Sequence, residues 1–73
     1  MRVRRARDAA ERDAAVALRQ RVFCEEQGVP RTLELDGRDG EAIHIVALRG
    51  GDVIGTCRVL LDGSTAKLGR LAV

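Results

Sequence analysis

Three apolar segments follow one another closely in the second half of the chain and constrain its fold more than any other feature. They are Ile43 to Arg49, Val53 to Leu61 and Ala66 to Val73, separated by Gly50-Gly51-Asp52 and by a turn around Asp62-Gly63. Short glycine-containing turns between segments of this length are typical of antiparallel hairpins. The sequence therefore predicts a three-stranded antiparallel meander.

The first two of these segments are apolar on both faces, as the runs IHIVAL and CRVLL show. Strands of this kind are expected in a sheet that is covered on both sides. Only one helix is available to cover it, and the chain ends in the apolar run Leu71-Ala72-Val73, which would leave an edge prone to association. We therefore expect residues 1–73 to be the N-terminal part of one larger domain. The alternative is a small domain completed by a partner or by a second copy.

A helix is expected to begin at Ala9. Asp8 and Glu11 have the spacing of a helix N-cap and its reciprocal partner at the third helical position. Gly28 followed by Pro30 is a strong stop signal, because glycine accepts the left-handed conformation and proline cannot continue a helix. One helix of about five turns is the prediction.

A short strand and a polar loop complete the expected order of elements. Residues 2–6 alternate arginine with Val3 and Ala6, which suits an edge strand, and residues 29–42 are polar and read as an ordered loop. The chain is therefore expected to be α+β, with the order strand, helix, acidic loop and three antiparallel strands.

Composition narrows the class of protein. A chain of 73 residues allows one small domain at most, and its two cysteines, Cys24 and Cys57, form neither a disulfide framework nor a zinc motif. A net charge of +2 is too small to imply nucleic acid. No apolar run approaches the length of a membrane span. We expect a cytoplasmic protein without a nucleic-acid or membrane partner.

Two charged residues of the predicted helix stand beside apolar neighbours. On a regular helical wheel Arg19 and Glu26 lie only about 20° apart, close to Val22 and Phe23. Charges that lose water cost free energy unless they are paired or used, so the pair is a candidate for ligand handling. The alternative is an ordinary ion pair at the rim of a core.

The acidic loop and the meander carry further candidates. Arg58 interrupts an apolar strand, so it should face a cleft or pair with Asp36, Asp39 or Glu26. Asp36 and Asp39 could attract an amine cation and accept its proton, although aspartates around a glycine commonly only close a turn. His44, the single histidine, is either a buried structural residue or a group that transfers protons.

Two smaller predictions concern the last strand and metals. Gly69 could mark a β-bulge or simply relieve packing. The acidic loop lacks the ligand register of a calcium site, and we predict no metal.

These residues together resemble the GNAT superfamily of N-acetyltransferases. The resemblance rests on the order of elements and on Leu18-Arg19, Val22-Phe23, Glu26-Gln27-Gly28, Glu34, Asp36-Gly37, Asp39, His44, Arg58 and Gly69-Arg70-Leu71-Ala72-Val73. Within this superfamily, the chain most resembles small bacterial acetyltransferases with the pattern L-R-x-x-V-F-x-x-E-Q. The resemblance implies a mixed, V-shaped sheet and acetyl-coenzyme A as acetyl donor. Acyl-homoserine-lactone synthases share part of the pattern but usually carry a tryptophan before the acidic loop, which this chain lacks.

The resemblance also gives the candidates expected roles. The catalytic candidates are Glu26, Asp36, Asp39 and His44, and those for binding the amine or acyl-CoA substrate are Arg19, Phe23 and Arg58. Backbone groups of Leu71, Ala72 and Val73 would bind the pantetheine arm and polarise the thioester carbonyl. The family's pyrophosphate-binding segment, R/Q-x-x-G-x-G/A, is absent from the 73 residues.

Without that phosphate-binding turn, we expect the 73-residue chain to be inactive alone. Two other classes of function remain. One is a non-catalytic interaction module that pairs through its open edge, either as a homodimer or with a missing C-terminal half. The other is a nucleic-acid binder, but the chain lacks the aromatic residues that stack on bases, since Phe23 is its only aromatic side chain.

Overall fold

The computed structural model describes residues 1–73 and shows a mixed α+β arrangement, in which a helix that follows the first strand packs against an antiparallel sheet. The sheet has four strands in the order β1-β2-β3-β4. In chain order the elements are β1 (Arg2–Arg5), α1 (Ala9–Arg19), a π-helical segment (Gln20–Glu26), α2 (Arg31–Glu34), β2 (Ile43–Arg49), β3 (Asp52–Asp62) and β4 (Thr65–Ala72). The predicted α+β class and the meander are confirmed. All three strand pairs are antiparallel, so residues 1–73 contain no parallel pair of the mixed sheet that the resemblance implies.

The start of α1 matches the prediction in one of its two hydrogen bonds. Asp8 is extended, at φ −148°, and its side chain accepts a hydrogen bond from the backbone N–H of Glu11 at 2.9 Å. The Glu11 carboxylate does not return to Asp8. It accepts from the backbone N–H of Arg7 and from Arg4, which ties the helix to β1.

The second half of the predicted helix is not α-helical. From Gln20 the backbone widens into π-helical geometry with five-residue spacing, as in the bond from the Gln27 N–H to the Val22 carbonyl at 3.1 Å. Gly28 then adopts φ +74° and ends the π-helical segment, as expected from the stop signal at this glycine. No helix in the structure is long and apolar enough to cross a membrane.

The predicted loop contains one short turn of helix. Residues Arg31–Glu34 form α2, directly after Pro30, and residues 35–42 run without regular hydrogen bonding to β2. Proline suits the position before a first helical turn because its ring fixes φ near the helical value. Glu34 is thereby brought to the end of α1.

One face of the sheet packs against α1, and the other is open. The core between them is small, consisting of Ala15, Val46 and Leu48. On the open face Leu61, Leu68 and Leu71 keep at least 62% of their surface exposed. The sheet is therefore covered on one side only, although its strands are apolar on both.

Candidate functional site

Arg19, the last residue of α1, is completely buried and binds two carboxylates. Its Nε and Nη2 atoms each lie 2.7 Å from Oε1 of Glu34, and its Nη1 atom lies 2.7 Å from Oδ1 of Asp39. The guanidinium group is rigid and planar, so these contacts fix α2 and the acidic loop against the end of α1.

Arg58 reaches the same loop from the middle of β3. It donates to both carboxylate oxygens of Asp36, at 2.9 and 2.8 Å, and to Oδ1 of Asp39 at 3.2 Å. Only 5% of its side chain is exposed. The sequence-based expectation that Arg58 pairs with Asp36 or Asp39 is confirmed, and it pairs with both.

A third arginine joins the group through a β-bulge in β4. Arg58 pairs with Gly69 and Thr56 with Ala72, so β4 has one extra residue at this point. Of the two interpretations of Gly69, a β-bulge and relief of packing, the structure shows the bulge, but the residue with the unusual conformation is Arg70, at φ +53°. A non-glycine residue held there costs on the order of 1–3 kcal/mol.

Hydrogen bonds to the acidic loop hold Arg70 in this conformation. Its Nη2 atom donates to the carbonyl oxygens of Leu33 and Glu34 at 3.1 and 3.3 Å. The same atom lies 3.4 Å from Oδ2 of Asp36. These hydrogen bonds therefore connect the bulge to α2 and to the loop that follows α2.

These contacts close into a ring of alternating charge, which we call the charge ring. In order around the ring its members are Glu34, Arg19, Asp39, Arg58, Asp36 and Arg70, and Arg70 returns to the backbone of Glu34. Three arginines balance three carboxylates. The ring joins the end of α1, α2, the acidic loop, β3 and the bulge of β4.

The arginines change the acidity of the two aspartates. Hydrogen bonds from Arg58 hold the pKa of Asp36 far below its usual value. Burial alone would raise the pKa of Asp39, but the hydrogen bonds from Arg19 and Arg58 outweigh it, so this pKa is lowered too. Both groups therefore stay ionised near neutral pH and are weak proton acceptors.

His44 lies under the ring on β2. It is buried, it pairs in register with Arg58, and its Nε2 atom lies 2.9 Å from the carbonyl oxygen of Asp39. A carbonyl oxygen can only accept, so Nε2 carries a proton, and in the neutral imidazole Nδ1 then keeps a free lone pair. Nδ1 is buried and has no hydrogen-bond partner.

Glu26 is not part of this cluster. The expectation that it pairs with Arg19 is wrong, because Arg19 binds Glu34 and Asp39 while Glu26 is exposed. The wheel that brought the two together assumed about 100° per residue, and the π-helical backbone turns less at each step. Glu26 lines neither of the cavities described below.

Sequence reasoning assigned no role to Glu34 or Arg70. Glu34 lies between Leu33 and Leu35, so a carboxylate with apolar neighbours was the signal that could have identified it. Its side chain is 1% exposed, and its Oε2 atom is buried without a partner. Arg70 gave no comparable signal, because its role depends on the geometry of the bulge.

Two cavities flank Arg70. One, of about 260 Å³, is lined by Phe23, Val29, Leu33, Glu34 and Arg70. The other, of about 310 Å³, is lined by Asp36, Arg38, Arg58, Leu60, Lys67, Leu68, Gly69 and Arg70. The structure thus brings Phe23, Asp36, Arg58 and the bulge to one end of the sheet.

The strand residues expected to contact a cofactor follow directly after the bulge. Ala72 is buried and pairs with Thr56, whereas Leu71 and Val73 are exposed. Since β4 is an edge strand, its outer backbone groups have no strand partner. No group of three or more histidine, cysteine or acidic side chains is arranged to hold a metal ion.

The chain is similar to a Bacillus subtilis (strain 168) protein named "Putative acetyltransferase". The two are 40% identical over 62 residues, which is 81% of this chain and 42% of the Bacillus protein. The chain therefore spans less than half the length of this relative. No family model matches the chain. The similarity indicates an acetyltransferase-like relationship.

Proposed function

We propose that this chain forms part of a GNAT-type N-acetyltransferase that moves an acetyl group from acetyl-coenzyme A to a primary amine. The observation that carries the proposal is the 40% identity to the Bacillus protein named as an acetyltransferase. The bulged edge strand and the charge ring beside it supply two sides on which such a reaction could be arranged.

The donor side is the outer edge of β4. Backbone groups of Leu71, Ala72 and Val73 would pair with the pantetheine arm, and one N–H would polarise the thioester carbonyl. The amine nitrogen attacks that carbonyl carbon, the C–N bond forms, and the C–S bond breaks to release coenzyme A. A preorganised backbone N–H directed at the developing oxyanion typically lowers the barrier by a few kcal/mol.

The acceptor side is the charge ring with His44. Asp36 and Asp39 each bind arginine and have lowered pKa values. They are therefore better suited to positioning the amine substrate than to accepting its proton. Glu26 is exposed and lies outside the ring. Of the three catalytic candidates beside the ring, His44 offers the one basic atom without a hydrogen-bond partner, Nδ1, so it would take the amine proton, directly or through water.

Turnover measurements test this proposal. Coenzyme A release is followed with acetyl-coenzyme A and a panel of primary amines for three proteins. They are the Bacillus protein, the 73-residue chain, and this chain joined to the part of the Bacillus protein that follows its matched region. We expect release by the first and third proteins and none by the chain alone. An active Bacillus protein with a folded but inactive joined protein would contradict the proposal.

The second candidate is a non-catalytic interaction module of the same fold. The open sheet face favours it, because Leu61, Leu68 and Leu71 are exposed together there. This candidate predicts a folded joined protein that releases no coenzyme A with any amine of the panel.

A further inference from the structure

Arg70 is the most weakly held member of the charge ring. Its donors lie 3.1 to 3.4 Å from their acceptors, whereas Arg19 binds Glu34 at 2.7 Å and Arg58 binds Asp36 at 2.8 Å. Its side chain is 27% exposed, against 0% and 5% for the other two arginines. Arg70 can therefore turn towards solvent at a smaller cost than either of them.

The ring without the Arg70 side chain would be an incomplete site for a cation. Two arginines would face three carboxylates, which leaves one negative charge. The freed acceptors would be the carbonyl oxygens of Leu33 and Glu34 and the Oδ2 atom of Asp36. Glu34 Oε2 is already buried without a partner, at a typical cost of about 1–3 kcal/mol. An ammonium group, with three N–H donors, matches these acceptors.

The cavity beside Arg70 adds an apolar compartment. Arg70 and Glu34 form its polar wall, and Phe23, Val29 and Leu33 form the rest of a space of about 260 Å³. A compact hydrocarbon or aromatic group would bury apolar surface there. Phe23 could also attract a neighbouring cation through its ring face.

We propose that the Arg70 guanidinium is a placeholder cation, displaced by a primary amine that carries a compact apolar substituent. The three N–H groups of the ammonium bind the three acceptors that Arg70 leaves, the negative charge of Glu34 favours the cation, and the substituent fills the apolar cavity. Naming this ligand as the acetyl acceptor rests on the proposed function, whereas the binding itself does not.

Nuclear magnetic resonance titration of the ¹⁵N-labelled 73-residue chain tests the binding without acetyl-coenzyme A. The probes are 2-phenylethylamine and the neutral 2-phenylethanol, which has a similar shape and lacks the charge. We expect saturable shifts of the Phe23, Leu33 and Glu34 amides with the amine, and at least about tenfold weaker binding of the alcohol. Equal binding of the two probes, or no saturable shift with the amine, would overturn the proposal.

Arg70→Gly gives the most distinctive result. Glycine accepts φ +53° without strain, so the bulge is kept while the competing cation is removed. We expect the amine to bind at least about fivefold more tightly, whereas loss of an ordinary structural residue would weaken binding. The matched control is Lys67→Gln, which removes an exposed, unpaired cation from the neighbouring cavity and should change the affinity less than twofold.

Glu34→Gln completes the set of variants. It removes the carboxylate charge with little change of shape and should weaken amine binding at least about tenfold. If this variant does not fold, the Arg70→Gly comparison still decides, because unchanged or weaker amine binding there would contradict the placeholder role. Amine binding without acetyl transfer in the joined protein would leave this site standing and reject the acetyltransferase proposal instead.

Discussion

The two ends of the sheet face beneath α1 are filled in opposite ways. At one end Ala15, Val46 and Leu48 form a small apolar core. At the other end, on the same face, the polar or charged side chains of Arg19, Glu34, His44 and Arg58 are buried beside the apolar Leu60. Both ends exclude water, but only the first does so with side chains that gain free energy simply by leaving it.

This difference indicates where function lies. Buried ion pairs lose about as much hydration free energy as their attraction returns, so well-packed apolar residues would stabilise the same volume equally well or better. A chain this short has little stability to spare. We therefore propose that the charge ring serves binding and positioning, and we expect the apolar end to contribute to stability.

The largest expected effect comes from breaking the charged end. Arg19→Met leaves Glu34 buried without its partner and should lower the free energy of unfolding by about 3 to 5 kcal/mol, enough to unfold much of the protein. Thermal unfolding followed by circular dichroism measures this. The control, Arg21→Met, changes an exposed arginine two residues further along the chain, and an equal loss of unfolding free energy in both variants would refute the ring as described.

A smaller effect is expected at the apolar end. Val46→Ala removes two methyl groups from a completely buried side chain and should cost about 2 kcal/mol. Val3→Ala, at a position 61% exposed, should cost no more than about 0.5 kcal/mol in the same denaturant titration. If the two variants lose the same free energy of unfolding, Val46 does not belong to a packed core.

The stabilising contributions of the charged end and the apolar end should also differ in their dependence on pH. Asp36 and Asp39 have lower pKa values folded than unfolded, so they stabilise the fold above about pH 4 and lose that contribution as the pH falls through the folded values. We expect the free energy of unfolding to decrease from pH 5 towards pH 2.

Asp36→Asn should make this decrease shallower, with a loss of about 1 to 2 kcal/mol at pH 7. Glu11, whose pKa hydrogen bonds from Arg4 lower to about 2, contributes to the same decrease and remains in the variant. Val46→Ala should shift the whole curve downward without changing its slope. Identical slopes for the native chain and Asp36→Asn would contradict the assigned ion pair.

Arg70→Gly is expected to have the smallest effect on stability. Relief of the strain at φ +53° offsets the loss of long hydrogen bonds, so the free energy of unfolding should change by less than about 1 kcal/mol. Arg70→Ala keeps the strain while losing the same bonds, and it should be the less stable of the two. Urea unfolding of both variants separates strain from hydrogen bonding, and a more stable alanine variant would argue against strain at this bulge.

The comparison also explains how far the sequence could predict the structure. Apolar runs and glycine turns located the strands of the meander closely, and Asp8 located the start of α1, because these signals are local. Arg58 was recognised by its apolar surroundings, and its aspartate partners were among those expected. The pairing of Arg19 failed because nothing local revealed the π-helical backbone after residue 19.

Glu34 and Arg70 show a second limit. They meet across 36 residues of chain through a backbone carbonyl, and no spacing rule relates a short helix to a bulge in an edge strand. Gly69 indicated a bulge only as one of two interpretations, and the strained residue is its neighbour Arg70. A ring assembled from five separate segments becomes visible only when their packing is known.

The central proposal is that the charged end takes part in catalysis in the complete protein, whereas the apolar end contributes to stability. Its most direct test is kcat/KM for Asp39→Asn and Val46→Ala in the joined protein, at a temperature where both variants are folded. Loss of a positioning carboxylate should lower kcat/KM at least tenfold in Asp39→Asn, while Val46→Ala retains the parent value despite its lower melting temperature. Equal kcat/KM values for Asp39→Asn and the parent, with only stability reduced, would contradict the account.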